Sequence, residues 1–231
     1  MTGARRLRSA IVSVPLRAVV FDFGDTLFTH PDGTPLLVAA GWTQDDAEDL
    51  IADAWRRSKT QSELQHGRDR SPQLHRQAWL RLFSRVEQHE PGLAARLYEA
   101  TLLPDAWVPY ADTSAVLEEL HRRQVPVGVL SNIAHPLQPL FAQHDLDRYV
   151  STYTLSYVEG HEKPDPALFE IACRQLETRT EETLIVGDSH LTDGAAVLAG
   201  LPVLLLPMVE RGKVRGLGRV LDLVGAPGPR D

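Results

Sequence analysis

The fold of this chain is decided by one stretch of its sequence, Ala18-Val19-Val20-Phe21-Asp22-Phe23-Gly24-Asp25-Thr26-Leu27. Four non-polar residues in a row precede Asp22, a pattern typical of a strand that is buried on both faces within a parallel sheet. Asp22 is then expected at the carboxyl end of that strand, where open α/β sheets bind their ligands. A carboxylate there is a candidate nucleophile or metal ligand, although an aspartate that closes a strand is also a common turn former or helix cap.

Two further predicted strands are followed by side chains that can bind an anion. Residues 125–130 form a buried apolar run that ends in Ser131 and Asn132, a hydroxyl and an amide able to donate hydrogen bonds to an oxyanion. Residues 150–155 form another strand, which leads to Lys163 just before a predicted helix. The carboxyl ends of parallel strands lie at one edge of a sheet, so we expect these side chains to converge with Asp22.

A fourth strand end carries two carboxylates. Residues 183–186 are predicted to form a buried strand and are followed by Gly187, which we interpret as a glycine that lets the backbone turn sharply, and then by Asp188 and Asp193. Two carboxylates five residues apart suit a hard divalent cation bound by oxygen atoms. Residues 202–206 complete the set as a fifth strand.

Residues 41–103 change to a helical period, with no strand signal between them. This segment predicts a small helical bundle inserted after the first strand. The four tryptophans of the chain lie in it or at its exit and are predicted to fill its core or its seam with the main domain: Trp42, Trp55, Trp79 and Trp107. Four residues are expected to cap the helices of the chain: Thr43, Ser71, Asp112 and Asp165.

A basic link, residues 66–70, joins two of the inserted helices. Its Arg68 and Arg70 are candidate ligands for an anionic substrate, because a guanidinium binds phosphate and carboxylate groups well. The alternative is that the link is only a solvated loop.

Composition narrows the class of protein. The 231 residues carry a formal net charge of −7, which argues against nucleic acid or an anionic membrane as a general partner. No apolar run approaches the length needed to cross a membrane. The one cysteine, Cys173, cannot form an internal disulfide, so we expect a reducing, cytoplasmic setting. Residues 1–16 are expected to be an N-terminal extension.

Four motifs together resemble the haloacid dehalogenase superfamily, and they occur in the family's order: residues 22–26, 129–132, 163–166 and 186–193. The resemblance implies an α/β fold, with a Rossmann-like parallel five-stranded sheet of order 5-4-1-2-3, its strands counted along the chain, and a smaller α-helical cap domain. It also implies the domain boundaries, which are 17–29 and 106–231 for the core and 30–105 for the cap.

The resemblance further implies phosphoryl-transfer chemistry. Asp22 would attack phosphorus to form an aspartyl phosphate, which water then hydrolyses. Ser131, Asn132 and Lys163 would bind the oxygens of the transferred group, so that Asp22, Lys163 and Ser131 are the expected catalytic residues.

A magnesium site is implied in the same way. Asp22, the backbone carbonyl of Gly24 and Asp188 would bind Mg²⁺, and Asp193 would orient that set of ligands. Mg²⁺ and a nearby lysine would offset the repulsion between a carboxylate and a phosphate.

Gly24 departs from the family pattern, which usually has a second aspartate there as general acid and base. Asp25 is adjacent, but successive side chains point in different directions, so we do not expect it to substitute. Three functions therefore stay open: a Mg²⁺-dependent phosphatase acting on a small phosphorylated metabolite, a metal-independent 2-haloacid dehalogenase-like hydrolase, and a non-catalytic binding protein on the same fold. Either a monomer or a homodimer is compatible with the sequence.

Overall fold

The computed structural model describes residues 14–225. Its seven strands are β1 (Ala18–Phe21), β2 (Phe28–Thr29), β3 (Val108–Pro109), β4 (Val127–Ser131), β5 (Thr152–Leu155), β6 (Thr183–Gly187) and β7 (Val203–Leu205). Five of them form one parallel sheet in the order β5-β4-β1-β6-β7. Counted among these five strands and read from its other edge, this order is 5-4-1-2-3. The α/β fold class and the predicted strand order are therefore confirmed.

β1 lies at the centre of the sheet because its residues can be buried on both faces. All four of them are buried, and so are all residues of its neighbours β4 and β6. Hydrophobic clusters cover both faces, one around Val19 and Phe21 and the other around Ala18 and Val20. The period-2 alternation of a strand sends neighbouring side chains into opposite clusters, which is why this strand has no polar residue before Asp22.

Eleven α-helices are present among the described residues, and short 3₁₀ turns separate several of them. They are α1 (Thr34–Ala39), α2 (Gln44–Ser58), α3 (Gln61–Leu64), α4 (Pro72–Leu82), α5 (Ser84–Glu87), α6 (Leu93–Thr101), α7 (Thr113–Arg122), α8 (Gln138–Gln143), α9 (Ser156–Glu159), α10 (Pro166–Gln175) and α11 (Val220–Leu223). None of the helices within residues 14–225 is both long and apolar enough to cross a membrane.

Five of the first six helices, all except α3, enclose a hydrophobic cluster of their own, built around residues such as Leu50, Leu82 and Leu97. We call residues 34–101 the helical cap. It leaves the sheet through β2 and returns through β3, and these two strands pair antiparallel with Thr29 opposite Val108. The boundaries 30–105 and 106–231 stay a prediction. The predicted extension 1–16 lies outside the described residues except for residues 14–16.

Three of the four predicted helix caps are confirmed. The side chains of Thr43, Ser71 and Asp165 accept a hydrogen bond from a backbone N–H in the first turn of α2, α4 and α10. The prediction for Asp112 is wrong. Its carboxylate accepts instead from three backbone N–H groups of residues 215–217, more than 100 residues away, at 2.8–2.9 Å. The Asp112 side chain therefore makes a tertiary contact instead of capping the helix that follows it.

Candidate active site

Asp22 and Lys163 meet at the carboxyl end of the sheet. Lys163 Nζ donates a 2.5 Å hydrogen bond to Asp22 Oδ1 and a 2.6 Å bond to Asp193 Oδ1. The lysine is 2% exposed, so this ammonium has almost no water to solvate it. Burial works against its charge, but Asp193 and Asp22 together outweigh burial and raise the pKa of Lys163. Lys163 is therefore a fixed positive charge beside the candidate nucleophile.

Asn132 positions that lysine. Its side-chain amide donates to the backbone carbonyl of Lys163 at 2.8 Å, and its carbonyl accepts from the Lys163 N–H at 2.7 Å. Ser131, at the end of β4, is buried and lines the same cavity as Asp22. Convergence of these residues with Asp22 follows from the parallel sheet; that Ser131 and Asn132 bind substrate oxygens stays a prediction.

Three carboxylates form a cluster that suits a metal ion. One oxygen each of Asp22, Asp188 and Asp193 lies within 4.8 Å of the others. Burial, together with the charges of Asp193 and Asp188, raises the pKa of Asp22 to about 7 in spite of Lys163. Such crowding of carboxylates in a buried place is costly unless a cation balances it. The donor set consists of oxygen atoms alone, which is the set preferred by hard divalent cations.

Lys59 is a residue of this site that sequence analysis missed. It lies at the C-terminal end of α2, in the helical cap, and its Nζ donates to Asp25 Oδ2 at 2.5 Å and to Asp188 Oδ2 at 2.8 Å. A lysine in that position has the ordinary explanation that it complements a helix C-terminus, so nothing local in the sequence marks it. Only the way in which the helical cap packs on the sheet identifies Lys59 as a residue of this site.

Asp25 does face the cavity, contrary to the expectation that an adjacent side chain would point elsewhere. Its φ of +58° lies in the left-handed region, so the backbone turns and brings its carboxylate into the cavity that Asp22 lines. The four carboxylates of Asp22, Asp25, Asp188 and Asp193 are then matched by the two ammonium groups of Lys59 and Lys163. When all are ionised, two negative charges stay unbalanced, which is the charge of one divalent cation.

Gly187 is required for a reason other than a sharp turn. It is the last residue of β6, and a Cβ added to it would lie 2.3 Å from Asp193 Cγ. Asp193 is held there by Lys163 and by the Ser189 N–H, at 3.0 Å from its Oδ2. The glycine therefore provides room for the carboxylate, whereas the sequence interpretation invoked a turn.

Above the carboxylates lies a cavity of about 140 Å³ between the helical cap and the sheet. We call it the cap chamber. Three of the four tryptophans line it: Trp55, Trp79 and Trp107. The prediction that they fill the cap or its seam is confirmed by the clusters to which they belong, but sequence analysis missed that they also form walls of the cavity.

The two arginines predicted to bind substrate occupy different places. Arg68 lines the cap chamber, where its Nε lies 3.1 Å from Asp69 Oδ2 and its Nη1 donates to the carbonyl of Ser58 at 2.6 Å. Arg70 is not among the residues that line the chamber and forms an ion pair with Glu162 at 3.1 Å. That either arginine binds substrate stays a prediction.

The family model described as haloacid dehalogenase-like hydrolase matches residues 16–200, which include four of the five strands of the parallel sheet, the helical cap and all four motifs. The chain belongs to the haloacid dehalogenase-like hydrolases. The resemblance inferred from the four motifs is thereby confirmed.

The individual proteins that the chain resembles are distant from it in sequence. The chain is 29% identical over 147 residues to the rhythmically expressed gene 2 protein of Drosophila melanogaster, and the aligned region covers 55% of each of the two proteins. It is 30% identical over 119 residues to the ribulose-1,5-bisphosphate 5-phosphatase of Halopiger xanaduensis, covering 51% of this chain and 47% of that protein. The chain thus spans about half the length of the curated relatives it matches. A crystal structure of a dehalogenase with an intermediate complex superposes with a TM-score of 0.69 at 22% identity, over 93% of this chain and 100% of the other. That likeness concerns the fold.

Proposed function

We propose that this hydrolase is a Mg²⁺-dependent phosphatase that acts on a small phosphorylated molecule through an aspartyl-phosphate intermediate. The observation that carries the proposal is the cluster of Asp22, Asp188 and Asp193, in which Asp22 and Asp193 both accept a hydrogen bond from Lys163 Nζ. A dehalogenase in which Asp22 attacks carbon has no need of the two further carboxylates. The phosphatase named among the relatives supports the same chemistry.

Asp22 is the nucleophile in this proposal. One of its oxygens attacks phosphorus while the bond from phosphorus to the leaving oxygen breaks, and water then hydrolyses the acyl phosphate to restore the carboxylate. Lys163 keeps a positive charge beside Asp22 and the incoming oxygens, and Asn132 holds the backbone of that lysine. Ser131 is near enough to the same cavity to donate its hydroxyl to a phosphoryl oxygen.

Mg²⁺ would be held by Asp22, Asp188 and the carbonyl of Gly24, with Asp193 in support, and would supply charge that offsets the repulsion between a carboxylate and a phosphate dianion. The residues fit that role, because the four ionised carboxylates share only the two ammonium groups of Lys59 and Lys163, which leaves the site two negative charges in excess. We also propose a cytoplasmic location, on the ground that the single cysteine, Cys173, is buried and free.

Hydrolysis of acetyl phosphate tests the proposal most directly. Its leaving group departs without a proton and fills little of the cap chamber, so the assay depends on the nucleophile and the metal alone. We expect turnover with Mg²⁺, loss of turnover with EDTA, and none in Asp22→Asn. Chloride release from a 2-chloro acid in EDTA would select the dehalogenase instead, and a folded, Mg²⁺-binding protein without either activity would favour a non-catalytic role.

A further inference from the structure

The walls of the cap chamber are aromatic and held in place. Trp79 Nε1 donates to His75 Nε2 at 2.9 Å, and Trp107 Nε1 donates to the carbonyl of Thr101 at 2.9 Å. With their N–H groups occupied, both indoles offer only carbon surface to a ligand. Trp55 lies between them, with ring centroids 4.4 Å from Trp79 and 6.2 Å from Trp107. Such preorganised aromatic surface favours a planar, apolar group.

Every cation that lines the chamber already has a carboxylate partner. Lys59 and Lys163 each contact two aspartates, and Arg68 is paired with Asp69. Arg68 is also 5.9 Å from the centre of the Trp79 ring, so its remaining face is in contact with an aromatic side chain. An anionic group on the substrate beyond its phosphate would therefore enter a desolvated space with no free positive charge to receive it.

Three histidines line the chamber, His30, His75 and His135, and His75 adds no charge to its wall. Both ring nitrogens of His75 are engaged, since Nε2 accepts from Trp79 and Nδ1 lies 3.1 Å from the Tyr98 hydroxyl. Burial and the nearby Arg68 lower the pKa of His75 to about 3, so the ring is neutral at pH 7. Burial also lowers the pKa of His135, so neither of these two histidines offers a positive charge to a second anionic group.

The small size of the chamber favours a leaving group of no more than one ring. An apolar protein cavity of roughly 150 Å³ accommodates benzene, and the cap chamber has about 140 Å³. The same cavity is also lined by Asp22 and Lys163, so it has to hold the phosphoryl group as well, which disfavours a leaving group with both a sugar and a base.

The leaving group can be inferred independently from Gly24. At this position the family's general acid would protonate the departing oxygen, and a Cβ added here would already lie 3.6 Å from the Trp107 ring. An alkoxide cannot leave readily without a proton, whereas a phenolate can, because a phenolic hydroxyl has a pKa of about 10. The missing acid and the aromatic wall therefore favour the same kind of substrate.

We propose that the substrates of this site are aryl phosphates whose leaving group is a single, uncharged aromatic ring that lies against Trp55, Trp79 and Trp107. This inference rests on the proposed phosphatase function. Asp22 forms its bond to phosphorus as the aryl oxygen–phosphorus bond breaks, and the electron pair leaves on the phenolate, which takes a proton from solvent. Hydrolysis of the aspartyl phosphate then yields inorganic phosphate.

Binding of stable phosphonates tests the chamber without any chemistry. Isothermal titration calorimetry in Mg²⁺ compares phenylphosphonate with phosphonoacetate, which carries a carboxylate in place of the ring. We expect phenylphosphonate to bind at least about tenfold more tightly, a difference of the size that apolar pockets give for one small group. Equal affinities, or tighter binding of phosphonoacetate, would overturn the proposal.

A matched pair of variants locates the effect. Trp55→Leu removes an indole from the chamber, whereas Trp42→Leu removes one that packs on His89 elsewhere in the cap and does not line the chamber. Trp55→Leu should lower the ratio of phenylphosphonate to phosphonoacetate affinity about tenfold. Trp42→Leu should leave this ratio unchanged, and an equal fall in both variants would contradict the assignment.

Kinetics separate this inference from the proposed function. If this protein hydrolyses acetyl phosphate, we expect its kcat/KM for phenyl phosphate to be at least about tenfold higher than its kcat/KM for phosphoglycolate. Turnover of acetyl phosphate together with a higher kcat/KM for phosphoglycolate would refute the proposed aryl phosphate substrates but would still support the phosphatase function. Tight phenylphosphonate binding without acetyl phosphate turnover would support the chamber and refute the phosphatase.

Discussion

Lys59 Nζ lies 2.8 Å from Asp188 Oδ2, so a side chain of the helical cap reaches a carboxylate that we assign to the metal. The cap thereby closes over the end of the sheet by an ion pair within the candidate active site. The ammonium and a divalent cation would both be attracted to this oxygen. We expect metal binding and the position of the cap to depend on each other.

Removing the charge of Lys59 should therefore strengthen metal binding. In Lys59→Met we expect the Kd for Mg²⁺ to fall about tenfold, an effect moderated by water because the lysine side chain is 40% exposed. Mg²⁺ titration by calorimetry measures this change. Lys213→Met, at an exposed lysine of another loop, is the control. Unchanged or weaker binding in Lys59→Met would show that the two cations do not compete.

Glu162 should make the stability of the protein depend on pH. Burial, with Asp69 nearby, raises the pKa of Glu162 from 4.5 to about 7, although Arg70 opposes the shift. The folded state then binds this proton more tightly than the unfolded chain does. The stability that results is fully present below pH 4.5 and is lost as the pH rises to about 7.

Urea unfolding of wild type and Glu162→Gln at pH 5 and pH 8 measures this loss. Wild type should lose about 1–2 kcal/mol relative to the variant between these pH values, less than the full shift because water reaches Arg70. Glu90→Gln, which alters an exposed pair with Arg96, should run parallel to wild type. A constant difference between wild type and Glu162→Gln would refute the prediction.

Arg215 should be needed to hold the loop that carries Asp25. This arginine is 1% exposed, and its guanidinium donates to the backbone carbonyls of Asp25 at 2.7 Å, Leu206 at 3.2 Å and Pro207. The single ammonium group of a lysine cannot donate to all three carbonyls in the geometry of the guanidinium, so Arg215→Lys leaves buried carbonyls without a hydrogen bond. We expect this variant to have a free energy of unfolding lower by about 2–3 kcal/mol.

Chemical denaturation tests this expectation, with Arg219→Lys as the control because the Arg219 side chain is 80% exposed and pairs with Asp222. The control should change stability by less than about 0.5 kcal/mol. Equal stabilities of the two variants would mean that water replaces the guanidinium at those carbonyls.

Gly187→Ala should displace Asp193. The added methyl would lie 2.3 Å from Asp193 Cγ, so the carboxylate has to leave its place beside Lys163. A shift of that kind costs about 10²-fold in turnover for an enzyme whose reacting groups are fixed. Acetyl phosphate kinetics give the readout. Gly194→Ala is the matched control, since its methyl would have its nearest neighbour at 3.8 Å, and we expect it to retain activity. Full activity in Gly187→Ala would show that Asp193 is not needed in its present position.

The residues whose position could be predicted from the sequence are those whose place in the fold depends on the chain near them. Asp22 and Asp188 follow the buried strands β1 and β6, and Ser131 ends the buried strand β4. Parallel strands bring their carboxyl ends together, so local pattern and sheet topology suffice. The order of the five strands followed from the resemblance to the family.

The residues that were missed depend on contacts far along the chain. Lys59 reaches Asp188 across 129 residues of sequence, and Arg215 reaches Asp25 across 190. Such contacts are set by how the helical cap and the last loop dock, which no periodicity encodes. Asp25 was misjudged because its positive φ is a property of the folded loop and is uncommon for residues other than glycine.

The antiparallel pair of β2 and β3 has a consequence for how this architecture can change. Thr29 Oγ1 donates to the carbonyl of Val108 at 3.1 Å across 79 residues of intervening sequence, so the insertion begins and ends at adjacent points. Antiparallel neighbours of this kind can be joined by a two-residue turn. The whole helical cap is therefore an insertion in a hairpin loop. It can be exchanged, enlarged or shortened without a change in the strand order of the parallel sheet. In such a chain, evolution can change the cap residues that contact the substrate while the catalytic residues of the sheet stay the same.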